Sequence, residues 1–241
     1  MKKNSLLNLI YIYLNLCHKK IFSRKKYFSF SGVDIIINNI FRNIDNGFYV
    51  DVGCQHPIKN NNTYLLYKKG WKGVNIDLDE DNINLFNKAR PLDLNINIAI
   101  SDKIKDVELF FFHNKSPINT IDKKTSEFQK SPISEIKIIK ANSLTNILDN
   151  TIYKNKKIDL LTIDVEGHEL NVLAGFNFEI YCPKVIIVEF LDLNVKKLEI
   201  KNLNIDVVLK SKLYNFLLSK NYTLANSIYS DLVFIHNDFR D

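Results

Sequence analysis

Two stretches decide the fold: FYVDVG at residues 48–53 and IDLLTIDVEGHE at residues 158–169. Each begins as an apolar strand and runs directly into carboxylates and glycine, an ending that core packing alone does not require. In open α/β sheets, ligands bind outside the carboxyl ends of the strands. We therefore predict that Asp51 and Gly53 form one wall of a ligand site. Asp164, Glu166 and His168 are predicted to form the wall that faces the chemistry.

Strands and helices alternate outward from these two stretches. Alternation of this kind predicts an α/β fold, with parallel βαβ units and right-handed crossovers. Residues 114–135 are polar and contain two prolines, so a long loop is predicted there. The last two predicted strands would close the sheet as an antiparallel pair. The predicted strands are 48–52, 72–77, 94–100, 107–113, 136–140, 158–163, 184–189, 222–225 and 232–236, and the predicted helices are 60–69, 80–89, 144–148, 168–174 and 207–219.

Length and composition fit one domain. The 241 residues suffice for a single α/β core, which we place at residues 47–241, after a basic helical lead-in at residues 1–46. The three cysteines are odd in number and include no CxxC pair, so neither a disulfide framework nor a zinc site is indicated. We expect a cytoplasmic protein. Residues 1–30 are basic and aromatic. They could form a helix that packs on the domain or one that contacts the surface of an anionic membrane.

The glycine pattern limits which class of cofactor the chain could bind. A dinucleotide site needs G-x-G-x-x-G after the first strand, and this chain contains neither G-x-G nor a P-loop. One glycine after an acidic strand end suits a ligand without a phosphate group, and S-adenosylmethionine is such a ligand. Asp51, Asp77 and Asp102 follow the first three predicted strands. Each acid alone could be a helix cap or a solvated turn, but three in register favour a binding site.

The chain resembles the FkbM family of S-adenosylmethionine-dependent methyltransferases over residues 45–236. The resemblance implies a Rossmann-like class I methyltransferase fold, a mostly parallel seven-stranded sheet with an antiparallel last strand. By position, Asp51 and Gly53 would hold the methionine moiety, Asp77 the ribose, and Asp102 with Ser101 the adenine. The motifs on which the resemblance to the family rests are YVDVG (49–53), HP (56–57), NTYL (62–65), KGWKGVNID (69–77), NIAISD (97–102), NTID (119–122) and, most specifically, IDVEGHE (163–169).

Catalysis of methyl transfer requires alignment of an acceptor and removal of its proton. His168 is the predicted general base, because an unperturbed imidazole has a pKa of about 6.5. Glu166 would orient His168 or bind the acceptor hydroxyl, and Asp164 would contact the sulfonium region or cap the next helix. The alternatives are a polar first-turn role for His168 and charge complementation of a helix N-terminus for Glu166.

Other polar residues are secondary candidates. His56 and His113 are more typical of structural or exposed positions, whereas residues 119–122 would suit an acceptor pocket. Asp164 and Glu189 end neighbouring predicted strands, but without a cluster of His or Cys residues we predict no metal site.

The predicted function is O-methylation of a sugar hydroxyl in a surface polysaccharide or glycolipid precursor. The net charge of +6 raises the alternative of a nucleic-acid methyltransferase, but no Asn/Asp-Pro-Pro-Tyr motif is present, so no nucleic-acid partner is expected. A non-catalytic module that binds S-adenosylmethionine or a glycan is the third alternative. The sequence gives neither the identity of the acceptor nor the oligomeric state.

Overall fold

The computed structural model describes residues 27–114, 116–195 and 204–240. The predicted lead-in helix therefore lies largely outside the described residues. The strands are β1 Phe48–Val52, β2 Lys72–Asp77, β3 Leu94–Asn97, β4 Ala99–Ser101, β5 Lys105–Phe111, β6 Glu135–Ser143, β7 Leu160–Ile163, β8 Val185–Glu189, β9 Tyr222–Ile228 and β10 Asp231–His236. The α-helices are α1 Val33–Ile40, α2 Tyr64–Tyr67, α3 Glu80–Ala89, α4 Lys123–Phe128, α5 Leu144–Asp149, α6 Glu169–Ala174, α7 Phe178–Tyr181, α8 Ile205–Lys210 and α9 Lys212–Ser219.

Seven strands form one sheet in the order β3-β2-β1-β7-β8-β10-β9. The first five of these are parallel, and Val50 of β1 lies between Val74 of β2 and Leu161 of β7. The last strand in the sequence, β10, is antiparallel and lies between β8 and β9. This arrangement confirms the predicted class I methyltransferase fold.

The core lies on both faces of this sheet. Every residue of β1 is buried, which explains why its sequence is apolar throughout apart from Asp51. Phe48, Val50 and Val52 pack into one cluster, whereas Tyr49 packs into the cluster on the other face, as the period of two along a strand requires. The described helices have ten residues or fewer, and none of them has the length and apolar character of a membrane span.

A smaller sheet lies beside the main one, in the order β4-β6-β5. The predicted third strand, 94–100, was wrong in extent because it divides between the two sheets. The division follows residue 97, where Asn97 Nδ2 and the Ile98 amide both donate to the Asp77 carbonyl, at 3.0 Å each. These bonds end β3 at the edge of the large sheet, and the chain continues as β4 in the small sheet.

Three other predicted elements differ in length. The loop at 114–135 contains helix α4, which Asp122 caps by accepting a hydrogen bond from the Thr125 amide at 2.8 Å. The helix at 60–69 is reduced to α2, because Asn61 and Thr63 bond to a buried network instead. The helix at 207–219 is two helices, since Ser211 is extended and caps α9.

Candidate functional site

A cavity of about 690 Å³ opens at the carboxyl ends of β1, β2 and β7. Apolar residues of the β3–β4 segment form one wall, and carboxylates stand at two other strand ends. The lining residues are Val52, Gly53, Gln55, Ile76, Asp77, Leu78, Asp79, Asn82, Ile98, Ala99, Ile100, Ser116, Pro117, Asn119, Ile121, Asp164, Val165 and Glu166.

Gly53 joins the two stretches that decide the fold. Its φ is +79°, a left-handed conformation that glycine adopts without steric cost. A Cβ at this position would collide with the backbone carbonyl of Asp164. The amides of Gly53 and Cys54 both donate to the Ile76 carbonyl, at 2.8 and 3.2 Å. Glycine therefore lets the β1 and β7 ends approach closely at the mouth of the cavity.

Asp77 is the acid that lines the cavity at the end of β2. Its carboxylate accepts hydrogen bonds from the amides of Gln55 and Asp79, both at 2.8 Å, and from Asn82 Nδ2 at 3.2 Å. Burial raises its pKa to about 6, against the opposing effect of these hydrogen bonds. The structure thus places Asp77 where a ribose diol could donate to it.

Asp51 lies outside the cavity lining, in a buried polar network beneath it. Its Oδ2 accepts from Thr63 Oγ1 at 2.8 Å and from Asn61 Nδ2 at 3.2 Å. Burial raises the pKa of Asp51, and the Arg90 guanidinium opposes that rise. Arg90 is itself fully buried and donates to Asn61 Oδ1 and the Pro57 carbonyl at 2.6 Å each. In this structure Asp51 ties the loop that follows β1 to the sheet.

Ser101, Asp102 and His168 also lie outside the cavity lining. His168 Nε2 lies 2.8 Å from Ser101 Oγ, and burial lowers the pKa of the imidazole. Asp102 pairs with Lys105 at 2.6 Å, and this hydrogen bond lowers the pKa of Asp102 to about 2. Ser101 Oγ also donates to Asp102 at 2.9 Å, so Ser101 joins the other two residues beside the cavity.

Four carboxyl groups gather where β7 and β8 end. Burial first, and then the charges of the neighbouring carboxylates, raise the pKa of Glu166 to about 9 and that of Asp164 to about 7. Glu169 shares the effect of burial, which raises its pKa to about 7. For Glu189, burial raises the pKa first and the charges of Asp164 and Glu166 next. Asp164 and Glu166 line the cavity directly.

The turn at residues 164–169 holds Glu166 toward the cavity. Glu166 has a φ of +55°, and its carbonyl accepts from Thr120 Oγ1 at 2.7 Å. Glu169 Oε1 accepts from the amides of Val165 and Gly167, at 3.1 and 3.0 Å. Sequence reasoning did not assign this role to Glu169. The sequence feature that could have indicated it is the second acid of the motif, two residues after Gly167.

Of the secondary candidates, one lines the cavity and the two histidines do not. Asn119 lines the cavity, and its amide also bonds to the backbone of Phe112 and of His113. His56 Nδ1 accepts from two backbone amides of its own turn, and His113 is exposed. The sequence reasoning missed four polar residues of the lining because the family motifs do not extend to them: Gln55, Asp79, Asn82 and Ser116.

Comparisons with known proteins identify a family. The family model of the methyltransferase FkbM domain matches residues 51–223. The crystal structure of a TehB-like SAM-dependent methyltransferase from Corynebacterium glutamicum ATCC 13032 Kitasato is similar, with a TM-score of 0.44 and 12% identity. That similarity covers 95% of this chain and 97% of the other. No curated protein matches the chain at a significant level.

Proposed function

This chain belongs to the family of methyltransferase FkbM domains and uses S-adenosylmethionine as methyl donor, and from that premise we propose that it methylates a sugar hydroxyl. The acceptor would be a surface polysaccharide or glycolipid precursor. One observation carries the proposal: the carboxylates of Asp164 and Glu166 line the same cavity as Gly53 and Asp77. A site for a donor and groups that can accept a proton therefore lie together.

The cavity suits the donor chemically. Asp77 would accept hydrogen bonds from the ribose hydroxyls, and the apolar segment Ile98–Ala99–Ile100 would cover the adenine ring. The methionine portion would lie against Gly53, which lines the cavity. S-adenosylmethionine supplies an electrophilic methyl group when it is bound. Ser101 and Asp102, predicted to contact the adenine, would act through the position of β4 instead.

Removal of the acceptor proton falls to the acidic cluster in this proposal. Glu166 lines the cavity, whereas His168 is buried against Ser101 outside it. In its ionised form, whose share rises as the pH approaches its pKa of about 9, Glu166 would hold the acceptor hydroxyl in line with the methyl group and accept its proton as the bond forms. His168 would then position the β7–α6 turn through its contact with Ser101.

Glu166→Gln and His168→Asn together test this assignment. We expect Glu166→Gln to bind S-adenosylhomocysteine normally in calorimetry and to lose about 100-fold or more in turnover, as removal of a general base does. His168→Asn should lose less than about tenfold. Turnover is measured as transfer of a radiolabelled methyl group to nucleotide sugars and to glycolipid extracts.

Two results would contradict the proposal. Equal loss of turnover in both variants, with S-adenosylhomocysteine binding intact, would return the base role to His168. Transfer of label to RNA or protein, but to no carbohydrate acceptor, would reject the sugar assignment.

A further inference from the structure

Three carboxylates converge where β7 and β8 end side by side. Ile163 and Val188 are paired neighbours in the parallel strands, so Asp164 and Glu189 follow them at adjacent positions. Glu166 returns to the same place through the turn after β7. One carboxylate oxygen of each of the three lies within 4.8 Å of those of the other two.

Glu189 supplies a second and independent observation. Its Oε2 is shielded from solvent and has no hydrogen-bond partner among the described residues. A buried carboxylate oxygen without a partner costs free energy, so such atoms are normally hydrogen-bonded or coordinate a cation. In residues 27–114, 116–195 and 204–240, no Lys, Arg or His forms an ion pair with Asp164, Glu166 or Glu189.

We propose that Asp164, Glu166 and Glu189 form a binding site for one divalent cation, of the oxygen-preferring class of Mg²⁺ and Mn²⁺. Oxygen ligands at about 2.0–2.5 Å from a shared ion lie at most about 4–5 Å apart, which agrees with the observed separation. A set of carboxylates without histidine or cysteine selects such hard ions over zinc or copper.

The position of this site suggests a role for the cation in binding the methyl acceptor. Asp164 and Glu166 line the donor cavity, whereas Glu189 lines a second cavity together with Gly167 and Glu169. The three carboxylates therefore contribute to the linings of both cavities. The ion would hold an acceptor hydroxyl that enters from the second cavity and would lower the pKa of that hydroxyl, whose proton would pass to the Glu166 oxygen that does not bind the ion. This role toward the acceptor rests on the proposed function, but binding of the ion does not.

The competing occupant of the site is a proton. Two carboxyl groups as close together as those of Asp164 and Glu189 can share one proton in place of a cation. A proton and a cation can be distinguished by adding metal. A site that protons neutralise at neutral pH would not bind Mg²⁺ or Mn²⁺.

The test titrates the full chain, first treated with EDTA, with MgCl₂ and separately with MnCl₂ at pH 7.5. We expect one ion per chain in calorimetry and a Mn²⁺ electron paramagnetic resonance signal that changes on binding. Glu189→Gln and Glu166→Gln should each weaken binding at least tenfold. The control is Glu179→Gln, which removes an exposed carboxylate at α7 and should bind like the unmodified chain.

The result that overturns the proposal is absence of binding up to millimolar metal, or equal binding by Glu189→Gln and the unmodified chain. S-adenosylhomocysteine is titrated into the same samples. Its binding shows that each variant is folded and keeps the donor site, whatever the metal result. Failure of the unmodified chain to bind it would instead reject the donor site, so the two failures are distinguishable.

Discussion

At the scale of single residues, we expect Asp77 to make cofactor binding depend on pH. Its carboxylate form accepts hydrogen bonds at both oxygens, whereas its protonated form accepts fewer and must also donate. Because burial raises its pKa to about 6, Asp77 is mostly protonated at pH 5 and mostly ionised at pH 7.5. Ionisation should therefore strengthen the bonds from the ribose hydroxyls as the pH rises.

We predict that the affinity for S-adenosylhomocysteine rises about tenfold between pH 5 and 7.5, because a hydrogen bond to a charged group contributes about 1.5 kcal/mol or more. Calorimetry at several pH values measures this. Asp77→Asn should bind more weakly at pH 7.5 and lose most of the dependence on pH. A variant that kept the full dependence would show that another group titrates.

The sequence placed Gly53, Asp77, Asp164 and Glu166 at the cavity because each lies at the end of a parallel strand or within three residues after it. Sequence position gives the strand end, but not the direction of a side chain after the chain turns. His168 lies beyond the turn and points to Ser101, a contact across 67 positions that no local pattern reveals. The role of Glu169 was missed although its bonds are local, because sequence position does not show that its side chain folds back onto the amides of the turn.

At the scale of elements, one buried cation holds the loop between β1 and α2. Arg90 follows α3 and donates to Thr63 Oγ1 at 2.8 Å and to Tyr49 Oη at 3.2 Å, besides its bonds to Asn61 and Pro57. Its removal leaves Asp51 buried without a nearby positive charge, which strongly destabilises a folded protein.

We predict that Arg90→Met lowers the free energy of unfolding by about 3–5 kcal/mol and weakens S-adenosylhomocysteine binding, because the loop carries Gln55 to the cavity. Urea denaturation measures the first effect and calorimetry the second. Arg42→Met, which alters an exposed arginine after α1, is the control and should change stability by less than about 0.5 kcal/mol. A similarly small change in Arg90→Met would mean that the network does not hold the loop.

Element lengths were predicted well where a strand is buried on both faces and less well elsewhere. The segment at 114–135 was expected to be a loop because it is polar, yet Asp122 caps a short helix within it. The third strand changed sheets because of two hydrogen bonds to the Asp77 carbonyl, a contact across 20 positions or more. Hydrophobic patterns specify burial, and these outcomes depend on polar contacts at a distance.

At the scale of the whole molecule, the core begins before the family match does. Val33, Ile37 and Phe41 on and after α1 are fully buried and pack with the sheet on the same face as Leu160 and Ile187. The match to the family begins at residue 51. The domain boundary at residue 47 stays a prediction, and α1 supplies a way to test it.

Ile37→Ala should lower the free energy of unfolding by about 2–5 kcal/mol, because it removes a fully buried side chain from a packed core. Ile35 lies on the same helix but is 40% exposed, so Ile35→Ala should have a much smaller effect. Urea denaturation of both variants makes the comparison. Equal, small effects would mean that the domain core does not depend on α1.

The class of the main sheet, seven mostly parallel strands with an antiparallel last strand, was predicted, because apolar strands that end in acids alternate with helices over most of the chain. The sugar acceptor could not be derived in the same way. Acceptor recognition depends on the shape of a cavity that several loops enclose together, and loop conformation follows from contacts between distant residues rather than from periodicity.

The place of β10 has a consequence for synthesis on the ribosome. β8 has a partner on one side as soon as β7 has formed, but its other edge pairs with β10, which is translated after β9. Until residues 231–236 emerge, the apolar strand Val185–Glu189 presents unpaired backbone groups along one side. The nascent chain therefore carries an aggregation-prone edge until β10 has been translated, and the hairpin of β9 and β10 closes that edge.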